Sequence, residues 1–208
     1  NNPDMAAYVQ PLIANAYEAL GDTEGVITAL EGAVTGPAQR FKAVANRMRL
    51  AELYLARQEY ANAIAQYDAV HDIARTEATK GQMTYLAGRA EIMAGNTAVG
   101  HERFQRAITD YPRAAESYQA LVALVDAGVP VDEYQRGVVD YYAGAYLPAV
   151  EAFRRYLSGA GDEYNTDAHV FLAWSLERLG DVENALAELD PLTKRDPARA
   201  LFERAGIL

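Results

Sequence analysis

Apolar and polar positions along this chain follow a helical period. In "MRLAELYLARQEYANAIAQYDAV", Ala63, Tyr67 and Val70 recur at steps of four and three, the spacing of one helix face. The same trio, small then large then apolar, returns as Val26, Leu30, Ala33 and as Gly100, Phe104, Ala107. It returns again as Ala149, Phe153, Tyr156 and as Ala185, Leu189, Leu192. A glycine precedes four of these trios (Gly21, Gly95, Gly144, Gly180), where a left-handed residue ends the helix before it. The fifth break falls at Arg57-Gln58-Glu59, and Pro112 and Pro197 close two of the units. The pattern predicts an all-α chain of helix pairs.

These residues resemble the tetratricopeptide repeat, a helix-turn-helix unit. The last unit matches best, through Leu172-Ala173, Leu176, Ala185 and Pro197; the unit near 44–77 follows, through Leu50-Ala51, Tyr54, Tyr60 and Ala63. Units near 7–40 and 81–114 are looser. The resemblance implies an α-α superhelix, a solenoid of about 11 helices in which each repeat contacts its neighbours. Residues 1–208 would form a single domain with sub-arrays 1–114 and 115–208.

The central residues of the trios lie 37, 37, 49 and 36 positions apart, so one interval is too long by about one helix. The surplus is "RAAESYQALVALVDAG", with Tyr118, Leu121, Val122 and Val125 as its apolar stripe and Gly128-Val129-Pro130 as its end. Asp132 then caps or begins the next helix. By count that helix is the outer partner of 115–127; by repeat register it opens the unit of Phe153. A seam is expected near residues 115–146. Pro11 and Pro191 fall inside predicted helices and predict a kink or late start and a kink, whereas Pro148 belongs in a first turn.

Composition removes several functions. There is no cysteine, hence no disulfide framework or thiolate site. No apolar run reaches the length that spans a bilayer, so direct membrane insertion is not expected. The net charge is −10, and residues 115–208 supply most of it, with 8 basic against 16 acidic side chains. A phosphate-tracking surface needs a basic face, so nucleic acid is not an expected partner. The chain starts Asn1-Asn2-Pro3, which suggests a piece of a longer protein.

Candidate chemistry is sparse. His71, His101 and His169 lack a second ligand at metal spacing. In "GDEYNTDAH", Tyr164 and Thr166 interrupt the alternating oxygens of a calcium loop, leaving a polar loop with Asn165 or Thr166 as helix cap. The pairs Asp132-Glu133 and Asp162-Glu163 sit near helix starts, and neighbouring side chains on a helix point apart. No phosphate loop or nucleophile elbow is present. The expectation is a non-enzyme with no metal and no cofactor.

In the repeat family that the chain resembles, first helices line the concave side. Candidate groove residues are therefore Asn15, Glu18, Arg49, Glu52, Tyr85 and Arg89, then Tyr134, Tyr141, Trp174 and Arg178. Tyrosine, tryptophan and arginine are favoured interface anchors. Some members of the family hold a C-terminal carboxylate with lysines and asparagines; Asn15 could fill one place, but the lysines are absent and Glu52 intrudes. The expected function is a scaffold that binds a protein or peptide in its concave groove. Residues 113–153 also resemble the helical-repeat region of bacterial soluble lytic transglycosylases. That resemblance implies the bacterial cell envelope over the cytoplasm, and an accessory arm positioning peptidoglycan or an adjacent catalytic domain. Self-association is a third expectation, through the terminal "ARALFERAGIL". The doublet Tyr141-Tyr142 cannot share one helix face, so one ring should pack the seam and the other face the groove.

Overall fold

The computed structural model describes residues 3–35, 40–161 and 164–208. Among these the chain is all-α, with thirteen helices. They are α1 (Pro3–Ala19), α2 (Thr23–Val34), α3 (Arg40–Ala56), α4 (Tyr60–Ile73), α5 (Glu77–Met93) and α6 (Thr97–Asp110). There follow α7 (Ala115–Asp126), α8 (Glu133–Tyr142), α9 (Tyr146–Gly159), α10 (Asp167–Arg178), α11 (Val182–Ala187), α12 (Asp190–Arg195) and α13 (Pro197–Ile207). Two helical segments beyond the expected number come from particular residues. Pro191 does more than kink its helix: it opens α12 after the chain leaves α11, and Asp196 caps a separate terminal helix. Pro11 lies within α1 without ending it, and Pro148 sits in the first turn of α9.

The helix pairs are joined by one recurring turn. Gly21, Gly95, Gly144 and Gly180 take φ between 72° and 89°, the left-handed region that costs other residues a Cβ clash. Each is followed by an amide donating five residues back: Asp22 to Tyr17, Asn96 to Glu91, Ala145 to Asp140 and Asp181 to Leu176. Gln58 occupies the same place between α3 and α4, at φ 60°, with Glu59 donating to Tyr54. A non-glycine here stores strain that a glycine would release, less the greater entropy of its unfolded chain. Gln58→Gly is therefore expected to stabilise the protein by about 0.5–1 kcal/mol, read as a rise in denaturant midpoint. An unchanged or lower midpoint would show that the turn is unstrained.

The small residues of the repeat are contact points. A Cβ on Gly88 would lie 2.8 Å from the Phe104 ring, and one on Gly100 would lie 2.4 Å from Ile92 Cγ1 and 2.7 Å from the Gly88 carbonyl. On Gly137 it would fall 2.6 Å from Phe153. Helices approach closely because nothing stands between ring and backbone. The trio residues are buried throughout except for Tyr156, which is half-buried.

The chain divides into two compact units, residues 1–107 and 108–208. In the first, α1 pairs with α2 and α3 with α4, α4 also packs against α5, and the core runs through Leu30, Leu50, Tyr67, Val70 and Met83. Arg103 braces its last pair by a bidentate bond to Asp68 (2.7 and 3.0 Å) and by its approach to Glu91. In the second unit, α8 pairs with α9 and α9 packs on α10 around Phe153, Leu172, Leu176, Leu189 and Leu192. The repeat register thus governs α8, which opens the Phe153 unit. The surplus helix is α7, which also packs on α8. Asp132 caps α8 by accepting from the Gln135 amide at 2.9 Å.

Candidate functional site

The first-helix residues of the first unit are largely bound to one another. Arg49 donates to Asn15 Oδ1 (2.9 Å) and Glu18 Oε2 (2.6 Å), tying α3 to α1. Glu52 is exposed on α3. Its charge and that of Arg89 both reach Tyr67, whose phenol is pushed up mainly by burial, with Glu52 adding and Arg89 opposing. Tyr85 is half-buried, stacked on Phe104 with centroids 5.3 Å apart, and the Arg89 guanidinium lies 5.8 Å from its ring. Of the six, Asn15, Glu18 and Arg49 form one hydrogen-bonded group, Tyr85 and Arg89 share a ring contact, and Glu52 acts on Tyr67 through its charge.

In the second unit three candidates converge. Tyr141 from α8 and Trp174 from α10 approach at 5.9 Å and 36°, and Phe171 lies beneath both, 5.3 Å from each. Together with Glu177, Arg178, Gly206 and Ile207 they line a pocket of about 230 Å³ between α8, α10 and α13. That volume is roughly the share of eight liquid waters, room for one large side chain. Burial pushes the Tyr141 phenol up, against the charge and hydrogen bond of Arg178. Arg178 Nε also stands 3.5 Å from Glu177 Oε2, so the rim carries a loose ion pair over an aromatic floor. Trp174 is held from behind: its indole N–H donates to Glu203 Oε2 at 3.0 Å. Arg199 of α13 reaches both Glu203 (3.8 Å) and Asp167 at the start of α10 (2.6 Å).

Tyr134 lies apart from this pocket. Its ring packs on Phe153 (6.1 Å) and Tyr156 (5.4 Å), and burial raises its phenol to about 12. The rings of the tyrosine doublet do not part as expected: they meet edge to face at 5.4 Å, and both reach Phe171. Tyr142 also lies under the Arg113 guanidinium at 4.9 Å and lines a second pocket of about 320 Å³ with Pro112, Tyr118 and Val139.

The remaining polar candidates are structural. His169 is nearly buried between Glu188 Oε2 (3.3 Å) and the Tyr164 hydroxyl (3.2 Å), so it clamps the start of α10. Thr166 is the cap residue of α10 by position, while Asn165 Oδ1 accepts the Asp167 amide at 3.0 Å. Asp162 and Glu163 of the acidic loop lie outside the described residues. Among the described residues no three acidic or histidine side chains gather about one point, and no helix is long and apolar enough to cross a membrane. Sequence spacing missed Glu177, Gly206, Ile207 and Glu203. The first follows from being one residue from Arg178; the others needed α13 to be docked on α10.

No family model matches the chain, and no curated protein matches it. Among solved structures it is similar to the MamA protein, 18% identical with 96% of each chain covered and a TM-score of 0.41. It is also similar to MamA 41-end from Desulfovibrio magneticus RS-1, 13% identical over 91% of this chain and 94% of that one, TM-score 0.40. A third is the TPR2AB domain of yeast Sti1 in its pHSP90 complex, 16% identical over 97% and 82%, TM-score 0.41. The class assignment rests on the chain's own turns and glycine contacts: an all-α protein of tetratricopeptide-like helix hairpins.

Proposed function

We propose that this protein is a non-catalytic scaffold that binds a protein or peptide partner on its first helices. The anchoring place is the pocket between α8, α10 and α13. The observation that carries this reading is the convergence of Tyr141, Trp174 and Arg178, three side chains from two helices, around one side-chain-sized cavity. Rigid aromatic walls give contact area at little entropic cost, and the Arg178–Glu177 rim offers donors and acceptors to a bound main chain.

The test is a peptide selection against the purified protein, followed by binding measurements on the selected sequences. Truncating an anchor in a desolvated pocket costs about 2 kcal/mol or more, so Trp174→Ala should weaken the best ligand at least about 30-fold. Selected peptides that bind Trp174→Ala unchanged would refute the pocket. Retention on insoluble peptidoglycan, lost in that variant, would favour the alternative: an accessory arm that positions cell-wall glycan.

A further inference from the structure

The tyrosine doublet of α8 borders two pockets. Tyr141 belongs to the cavity of Trp174 and Arg178, and Tyr142 to the larger one that the surplus helix α7 closes with Ala115 and Tyr118. Tyr142 and Trp174 lie 5.4 and 5.9 Å from Tyr141, and both touch Phe171, at 5.9 and 5.3 Å. The four rings are therefore contiguous. The two steps through Tyr141 put the outer rings at most about 11 Å apart, which an extended chain covers in three to four residues at about 3.3 Å each. Side chains two or four residues apart share one face of such a chain.

One side chain sets the chemistry of the larger pocket. Arg113 lies over the Tyr142 ring at 4.9 Å and carries the single charge on that lining. Among the described residues it meets no carboxylate, although the adjoining residues 115–208 hold 16 acidic side chains against 8 basic ones. A ring contact leaves its N–H donors free to meet an acceptor. Arg178 in the other pocket is different, since it shares its charge with Glu177 at 3.5 Å.

Given the anchoring pocket proposed above, we infer that the two cavities are one bipartite site for an acidic peptide. A large apolar side chain of that peptide fills the Tyr141–Trp174 pocket, and a glutamate or aspartate two or four residues away meets Arg113. Charge selects the acid, because Arg113 is a cation left without a carboxylate in an acidic part of the chain. Tethering selects a peptide over a free anion. An exposed guanidinium holds a lone anion weakly, whereas an acid linked to an anchor already seated beside it is held at high effective concentration.

Peptides selected from a randomised linear library against the full chain should carry an acidic residue two or four positions from a large apolar one. In calorimetry, Arg113→Glu should weaken them at least about 10-fold, since acid would then face acid across the site. Changing the peptide's acid to lysine should restore binding to that variant and weaken binding to the wild type, a reversal that a structural role of Arg113 would not produce. The substitution suits the fold: Arg113 is exposed, and an acid just before α7 is favoured by the helix dipole. Peptides that need Trp174 but lack an acid at this spacing, or that bind Arg113→Glu unchanged, would overturn the bipartite site and leave the anchoring pocket standing. Peptides indifferent to Trp174→Ala would overturn both.

Discussion

Phe153→Ala is expected to lower the stability of the second unit by about 3–5 kcal/mol, near the upper end for an aromatic core truncation. The ring is wholly buried, lies flat on Phe171 at 5.7 Å and 11°, and takes Tyr134 on its edge. It also rests directly on Gly137, which has no side chain to move into the space vacated. The cavity therefore persists, and cavity volume sets the cost. Urea unfolding followed through Trp174 reads this unit selectively, since Trp174 is the only tryptophan and contacts Phe171. Total stability of a domain is commonly about 5–15 kcal/mol, so the variant should unfold at much lower urea. A loss under about 1 kcal/mol would mean the unit recloses around alanine, and that Phe153 is not its keystone.

The second large effect depends on pH. Asp140, on α8, is 4% exposed, and burial pushes its carboxyl up to about 6. Arg136 and Arg155 pull it down and Glu133 pushes it up, but neither cation compensates it well. Arg155 is committed to Glu133 by two bonds of 2.9 and 3.0 Å. Arg136 Nε stops 3.8 Å from Asp140 Oδ2, and both atoms lack a hydrogen-bond partner. The folded state thus holds its proton more tightly than the unfolded chain. The stability contributed by the protonated form is fully present below the ordinary value of 3.8 and is lost as pH rises through about 6. That difference corresponds to at most about 3 kcal/mol.

Asp140→Asn removes that ionisation. The variant should match the wild type near pH 4 and exceed it by up to about 3 kcal/mol at pH 8, in unfolding read at Trp174. Other carboxylates titrate alike in both proteins and cancel in the difference. A gap independent of pH, or one that opens on acidification, would show that Asp140 is not the group responsible.

Much of the architecture is written in local sequence. The turn glycines, the capping aspartates Asp22, Asp132 and Asp181, and the four-three apolar steps each act within a few residues, where spacing alone is decisive. They were enough to separate helices, place their ends and detect the surplus helix α7. Even Gln58 could be located as a turn by counting, because a hydrogen bond between residues five apart fixes its conformation whether or not glycine is present.

What counting could not supply is which faces meet. Tyr134 and Tyr141 stand two turns apart on one helix and read as equals, yet one is held against Phe153 and the other opens onto a pocket. The difference comes from the segments that reach them: α9 covers Tyr134 with Phe153 and Tyr156, whereas α10 and α13 leave a gap beside Tyr141. Glu203 shows the same limit: it becomes the support of Trp174 only because α13 folds back over α10. The sequence by itself determined the helices, their turns and the register of the repeat, because those depend on neighbours along the chain. The pocket and the poorly paired Asp140 were decided by tertiary packing. Burial and pairing there depend on groups many residues away, and no periodicity records them.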